Sequence, residues 1–321
     1  MESKRITLRE TAERLLEMDN VTVLCHRSPD GDTMGSGYAL CRALRNIGKN
    51  ARVLCADPIP RKMAYMAAGL KELPFTEQHV ISVDVADEAL LGTLGDAYAG
   101  RVELAIDHHA AHRDFAVELY VEPKSASTCE IIYCLLGEMG ASLTPEIASC
   151  LYTGVATDTG CFKYSNVTPH THQTAAALIE AGADHMNICK VMFDTKSLAC
   201  FKLESQALNA LETYHDGAIA IVYVTREMME QGGVTDEELD GIAALPRKIE
   251  GVHIGITVKE RPGEYKISVR TSEQANAADI CVLFGGGGHA RAAGCSFKET
   301  PKQFMPKLLA ACEDELRKAG L

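Results

Sequence analysis

Short apolar runs alternate with helix-patterned stretches through the first half of the chain, and this alternation constrains the fold more than any other feature. Val21–His26 (VTVLCH) is a continuous apolar run that reads as a buried strand. It is followed by the turn-rich Arg27–Thr33 and by Met34–Ile47, whose apolar residues fall at helical spacing. Ala51–Ala56 reads as another strand and Arg61–Leu70 as a helix, and His79–Val85 and Val102–Ile106 are further strands. Strands separated by helices belong to βαβ units, and such units build a largely parallel sheet with helices on its faces.

Beyond Ser127 the pattern turns helical. Thr128–Met139 and Pro145–Thr157 carry helical periodicity, and Thr144-Pro145 and Thr168-Pro169 each pair a capping residue with proline at the first helical position. Ser197–Tyr214 reads as one amphipathic helix. Strand patterns return at Ala218–Val224, His253–Val258 and Tyr265–Val269, the last two joined by a turn at Glu260–Gly263. Four glycines, Gly285–Gly288, precede a strand near Gly294–Phe297, and Pro306–Lys318 is helical. The expected fold class is α/β: an N-terminal, mostly parallel sheet with flanking helices, then a smaller α/β C-terminal domain. The 321 residues suit about two domains at roughly 150 residues each. The expected divisions are a first domain over 1–190, a linker helix over 191–214 and a second domain over 215–321.

Net charge is −12, from 44 acidic and 32 basic residues. Phosphate neutralisation dominates the grip on long nucleic acid, so a nucleic-acid ligand here should be short, or met by basic groups gathered in one pocket. There is no Trp, and no basic, aromatic stacking surface is evident. The 12 cysteines form no CxxC pair. The opening MESKRITLRE lacks an apolar signal region, and the longest apolar runs are too short to span a bilayer. A reduced, cytoplasmic protein without a membrane partner is expected.

Four polar clusters end apolar segments. His26-Arg-Ser-Pro-Asp30-Gly-Asp32 follows a strand. Asp84 lies near the end of VISVDVAD. Asp107-His108-His109 follows another strand, and Asp158 ends a helix in ATDTG. In an open parallel sheet, ligand sites form outside the carboxyl ends of the strands, so clusters far apart in sequence can converge. An isolated Asp after a strand is commonly a turn former or helix cap. Four acid or imidazole clusters together point instead to a shared site. Two histidines and four carboxylates can hold two divalent cations, which would relieve the repulsion among Asp30, Asp32, Asp84 and Asp158. Mixed imidazole and carboxylate ligation suits Mn2+, with Mg2+ as an alternative that favours oxygen.

HRSPDGD, the Asp of VISVDVAD, DHH at 107–109 and ATDTG together resemble the four motifs of the DHH phosphoesterase superfamily. ISVRTS at 267–272 and GGGGHARAAG at 285–294 resemble its associated substrate-binding domain. The first domain would then be the DHH catalytic domain. The compact length and FKYSN at 162–166 look like the short two-domain oligoribonucleases that also dephosphorylate 3′-phosphoadenosine 5′-phosphate (pAp). The resemblance implies that His26 and Asp30 bind one ion and that Asp32, His108 and Asp158 bind the other, with Asp84 bridging. It implies that His109 faces the scissile phosphate, that Asp107 supports the histidines, and that water activated between two ions attacks phosphorus. In the second domain, Gly286, Gly287 and Gly288 would admit a phosphate to the backbone, and Arg270, Ser272 and His289 would contact it. Short RNA or DNA oligonucleotides and pAp are the implied substrates. The alternatives are hydrolysis of linear dinucleotides such as pGpG or pApA, and RecJ-like exonuclease action on single-stranded DNA. His112, three positions after His109, could support the histidines from behind, but a solvated loop is the expectation, and His253 has no supporting context. Helical surfaces such as Thr128–Met139 could pair two copies in a homodimer.

Overall fold

The computed structural model describes residues 3–235, 237–239 and 241–321. The chain divides into two compact units, Met1–Thr195 and Lys196–Leu321.

In the first unit the elements run β1 (Lys4–Arg5), α1 (Leu8–Glu17), β2 (Val21–Cys25), α2 (Gly31–Asn46), β3 (Ala51–Cys55), β4 (His79–Val83), α3 (Gly95–Tyr98), β5 (Leu104–Asp107) and β6 (Glu118–Val121). Helices α4 (Thr128–Glu138), α5 (Pro145–Asp158), α6 (Pro169–Glu180) and α7 (His185–Cys189) complete it. The strands form one parallel sheet in the order β1-β6-β5-β4-β2-β3. Successive side chains of a strand point to opposite faces, and both faces are covered here. Val23, Ile81 and Ile106 pack with α2, α4 and α5, while Leu24, Val80, Ala105 and Leu119 form a second cluster on the other side. The segment read as a helix over Arg61–Leu70 is a 3-10 helix, Arg61–Ala67.

Helix α4 is internal. Cys129, Ile131, Ile132, Leu135 and Leu136 are buried within the unit. Most of its apolar surface is used within the unit, while Tyr133 and Cys134 stay half-buried.

The second unit comprises α8 (Leu198–Asn209), β7 (Glu212–Tyr214), β8 (Ile219–Val224), α9 (Arg226–Gly232), β9 (Ile254–Arg261), β10 (Glu264–Thr271), α10 (Ala277–Val282), β11 (Gly287–His289), β12 (Ala292–Phe297) and α11 (Pro301–Ala319). Its sheet runs β11-β12-β10-β9-β8-β7 and is antiparallel except for β8 with β9. Ile219 and Ile221 pack with Phe304, Leu308 and Cys312 of α11, and Val222 and Val224 pack with Leu203 and Ala207 of α8. The helix expected as a linker over 191–214 is thus a working part of this core. It is also shorter than expected, since β7 takes the last residues. The final helix begins at Pro301, five residues before Pro306, because Thr300 and Gln303 form its capping box. Among the described residues, no helix is long and apolar enough to cross a membrane.

Candidate metal centre

Strands β5, β4 and β2 are neighbours in the first sheet, so their carboxyl ends lie side by side. His26 follows β2, Asp84 follows β4, and Asp107, His108 and His109 end or follow β5. The central position falls to Asp84. Its backbone sits in the left-handed region at φ 58°, a conformation that Asp tolerates better than most residues. Its N–H is held by the carbonyl of Ile106 at 2.9 Å. Only 2% exposed, Asp84 turns its two oxygens to different partners. Oδ2 lies 3.6 Å from His26 Nε2; Oδ1 lies 3.8 Å from His108 Nε2 and 3.7 Å from His109 Nδ1. Oδ1 also accepts from Thr128 Oγ1 at 2.9 Å.

Helix α2 supplies two more carboxylates. Asp30 is its N-cap: Oδ1 accepts from the N–H groups of Asp32 and Thr33 at 3.0 and 3.1 Å. Asp30 Oδ1 also lies 3.6 Å from His26 Nε2. Asp32 is buried and reaches the start of α4, accepting from Thr128 N–H at 2.7 Å and Cys129 N–H at 2.8 Å. Those are amides that a helix N-terminus cannot satisfy internally, and an anion is favoured there.

Asp158, the last residue of α5, lies 3.5 Å from His108 Nε2, and Asp32 Oδ2 lies 3.9 Å from the same nitrogen. The approach of α5 to α2 depends on Gly154. A Cβ there would lie 2.1 Å from Cys129 Sγ and 2.7 Å from Asp32 Oδ1.

Three sets of donor atoms could each hold a metal ion: His26, Asp30 and Asp84; Asp32, His108 and Asp158; and Asp84, His108 and His109. Within each set the donor atoms lie within 4.8 Å of one another. The electrostatics show the same demand for positive charge. Burial pushes the Asp32 carboxyl well above the usual range, and the charges of Asp84, Asp158 and Asp30 add to it. Burial likewise carries Asp158 to about 7; His108 opposes the shift, and Asp84 and Asp30 reinforce it. Burial alone would lower His26, but Asp30 and Asp84 outweigh it and raise the ring to about 11. Without metal, protons take the place of cations.

Asp107 stands behind the cluster, fully buried. Its Oδ1 accepts from His109 Nδ1 at 2.7 Å and from His108 N–H at 2.8 Å; its Oδ2 accepts from His112 Nδ1 at 2.7 Å. The second imidazole it supports is therefore that of His112. The ring of His108 is held instead by the carbonyl of Ser125, 3.2 Å from Nδ1. The expectation that His112 is solvated is corrected: its side chain is 1% exposed. The sequence carried one unused signal, because Ser127 followed by Glu130 marks the start of α4, whose amides hold Asp32.

In the second unit, Arg270 on β10 and His289 on β11 both face Ala292 of β12 in the sheet register. Directly paired residues share a face, so the guanidinium and the imidazole flank one small residue. Gly286 precedes the edge strand; a Cβ there would lie 2.2 Å from the Gly294 carbonyl oxygen. Gly287 and Gly288 belong to exposed β11. Ser272 Oγ lies 3.1 Å from Nδ1 of His253, which gives that histidine a context the sequence did not reveal. Arg291 donates to the carbonyls of Ser272 and Ala275, and so braces this loop.

An acidic cluster with imidazoles at the carboxyl ends of a parallel sheet, on a chain with a second, mixed-sheet unit, defines a class of α/β proteins with a candidate cation site. The chain matches the N-terminal domain of the DHH family over residues 20–155 and the DHHA1 domain over residues 216–318. A relative from Thermus thermophilus, named bifunctional oligoribonuclease and PAP phosphatase NrnA, is 31% identical over 325 residues, covering 98% of this chain and 95% of the relative. The chain belongs to the DHH family. Among solved structures, an exopolyphosphatase-related protein of Bacteroides fragilis shares the fold with a TM-score of 0.86 at 24% identity, covering 97% of this chain and 95% of that one. The Mn2+ complex of RecJ from Thermus thermophilus shares it with a TM-score of 0.57 at 14% identity, covering 96% of this chain and 54% of that one.

Proposed function

We propose that the protein hydrolyses short oligoribonucleotides to mononucleotides and dephosphorylates pAp. Family membership and the relatives named oligoribonuclease and PAP phosphatase make the protein a phosphoesterase. The observation that carries the reading is Asp84, whose two oxygens serve two sets of candidate ligands on either side of the central strand.

The donor set fits two divalent cations. His26 and Asp30 would hold one, and Asp32, His108 and Asp158 the other, with Asp84 between them. Imidazole with carboxylate favours Mn2+ over Mg2+. Bound there, such ions supply Lewis acidity that activates water and neutralises charge on phosphate oxygens. The rest is the work of the chain. The amides at the start of α4 fix Asp32 in place before any ion arrives. Asp107 fixes a proton on His109 Nδ1, which directs the opposite ring nitrogen to the phosphate. Burial alone would lower His109, but Asp107 outweighs it and raises the ring to about 9, so the imidazole enters as a proton-bearing donor. No covalent protein intermediate is required. Arg270 forks onto phosphate oxygens, assisted by Ser272, His289 and the amides of Gly286–Gly288. The 12 cysteines are free thiols, as suits work in the cytoplasm.

The deciding experiment is turnover with Mn2+ on a labelled RNA series from dinucleotides to long strands, on linear pGpG and pApA, on pAp and on pyrophosphate. Mononucleotide release from the shortest RNAs with phosphate release from pAp is expected. Preference for long single strands would move the assignment to RecJ-like action, and preference for pGpG or pApA to dinucleotide hydrolysis. Pyrophosphate as the best substrate would overturn it.

A further inference from the structure

His112 is a buried, titratable side chain for which the reaction above has no use. Its ring stacks on Phe115, with centroids 5.5 Å apart and planes 28° from parallel. Nε2 is buried and has no hydrogen-bond partner among the described residues, so the ring's polar contact is its Nδ1 bond to Asp107. Asp107 is clamped at both ends: His109 and the His108 backbone hold Oδ1, and His112 holds Oδ2. Each ring places Nδ1 2.7 Å from one oxygen of this carboxylate, the geometry of an Nδ1–H donor to an acceptor.

We infer that His112 is a positioning residue: by holding Asp107 Oδ2, it fixes the carboxylate plane that orients the His109 ring beside Asp84. Among the described residues, the bond from His112 is the one hydrogen bond to Oδ2. A carboxylate held only at Oδ1 can rotate about its Cβ–Cγ bond, and that rotation loosens the grip on His109 Nδ1. The inference rests on the hydrolase reading of this cluster. It gives the DHH motif a fourth working position, three residues beyond its last histidine.

The test compares H112F and H112N. Phenylalanine keeps the ring volume and the stack on Phe115 but has no donor; asparagine places an amide N–H where Nδ1 stood. With Mn2+ and short RNA, H112F should lose about 10–100-fold in kcat, the usual cost of disturbing an outer-shell partner, while KM stays near the wild-type value. H112N should recover most of the loss. A second readout is independent of turnover. In metal-free protein with isotope-labelled histidines, NMR should show two strongly deshielded ring N–H protons hydrogen-bonded to Asp107. H112F should abolish one and shift the other. A wild type without the His112 signal overturns the inference even if both variants fail to fold. Wild-type kcat in a folded H112F, or an H112N as slow as H112F, also overturns it. An inactive wild type is a different failure, because it removes the hydrolase reading itself.

Discussion

The two units handle charge in opposite ways. In the first, four carboxylates and two imidazoles are packed around the ends of three adjacent strands, and the two most central carboxylates, Asp32 and Asp84, are almost wholly buried. In the second, Arg270 and His289 flank Ala292 and an exposed run of glycines at a sheet edge. The first arrangement is a fixed negative cage that demands cations. On the proposed reading, the second would offer a guanidinium, an imidazole and open amides to an anionic substrate. Chemistry and recognition therefore ask for different surroundings, and substitutions in the two places should separate kcat from KM.

The largest effect is expected at Asp84. D84N keeps the left-handed backbone but removes the charge, and kcat should fall on the order of 10³-fold, as several kcal/mol of transition-state stabilisation disappears. Activity near wild type on both RNA and pAp would break the two-cation assignment. In the second unit, R270A should raise KM by about 10–100-fold, since a charge-assisted hydrogen bond contributes roughly 1.5–3 kcal/mol, with kcat changed far less. A fall in kcat with constant KM would erase the contrast between the units.

The cage also gives a pH signature. The folded-state values of Asp158 (about 7, against 3.8) and His26 (about 11, against 6.5) both lie above their unfolded values. Each group then favours folding fully below its unfolded value, and that benefit is lost as pH rises through the folded value. The cluster's contribution to metal-free stability should therefore decline from mildly acidic to alkaline pH. The rise in Tm on adding Mn2+ should grow over the same range, because ions replace fewer protons. Calorimetry showing a shift that shrinks with pH would contradict the cage. The smallest effect tests packing alone. G154A should cost about 1–3 kcal/mol by overpacking, because its Cβ has no room beside Cys129 and Asp32. G137A on α4 meets nothing within 4 Å and should stabilise by about 0.4–1 kcal/mol. Equal denaturation midpoints for the two would show that α2 and α5 are less tightly joined than described.

The cluster was legible in the sequence because its members sit at the ends of periodic segments, where a change from apolar to acidic stands out. His26, Asp84 and Asp107–His109 all follow short apolar runs. His112 was only half legible: its place three residues after His109 suggested a supporting role, but nothing in the sequence favoured it over a solvated loop. It lies in a loop without periodicity, and its burial comes from Asp107 and Phe115, contacts that no spacing rule announces. The same holds for His253 beside Ser272. Helix α8 was read as a connector because its pattern is amphipathic; only the tertiary structure reveals that its apolar side is matched to Val222 and Val224. The glycines stood out in the sequence as a stretch of bare backbone. Gly286 also passes close to the Gly294 carbonyl, which depends on a strand pairing that the sequence left open.

The bonds from the first amides of α4 to Asp32 join residues 96 and 97 positions apart, and this ties the cage to a long-range contact. The cage is complete only where α2 and α4 have docked, so an ion bound there would lock that docking. Chelator present during refolding should leave the main folding phase unchanged, whereas chelator added to the folded protein should speed its unfolding.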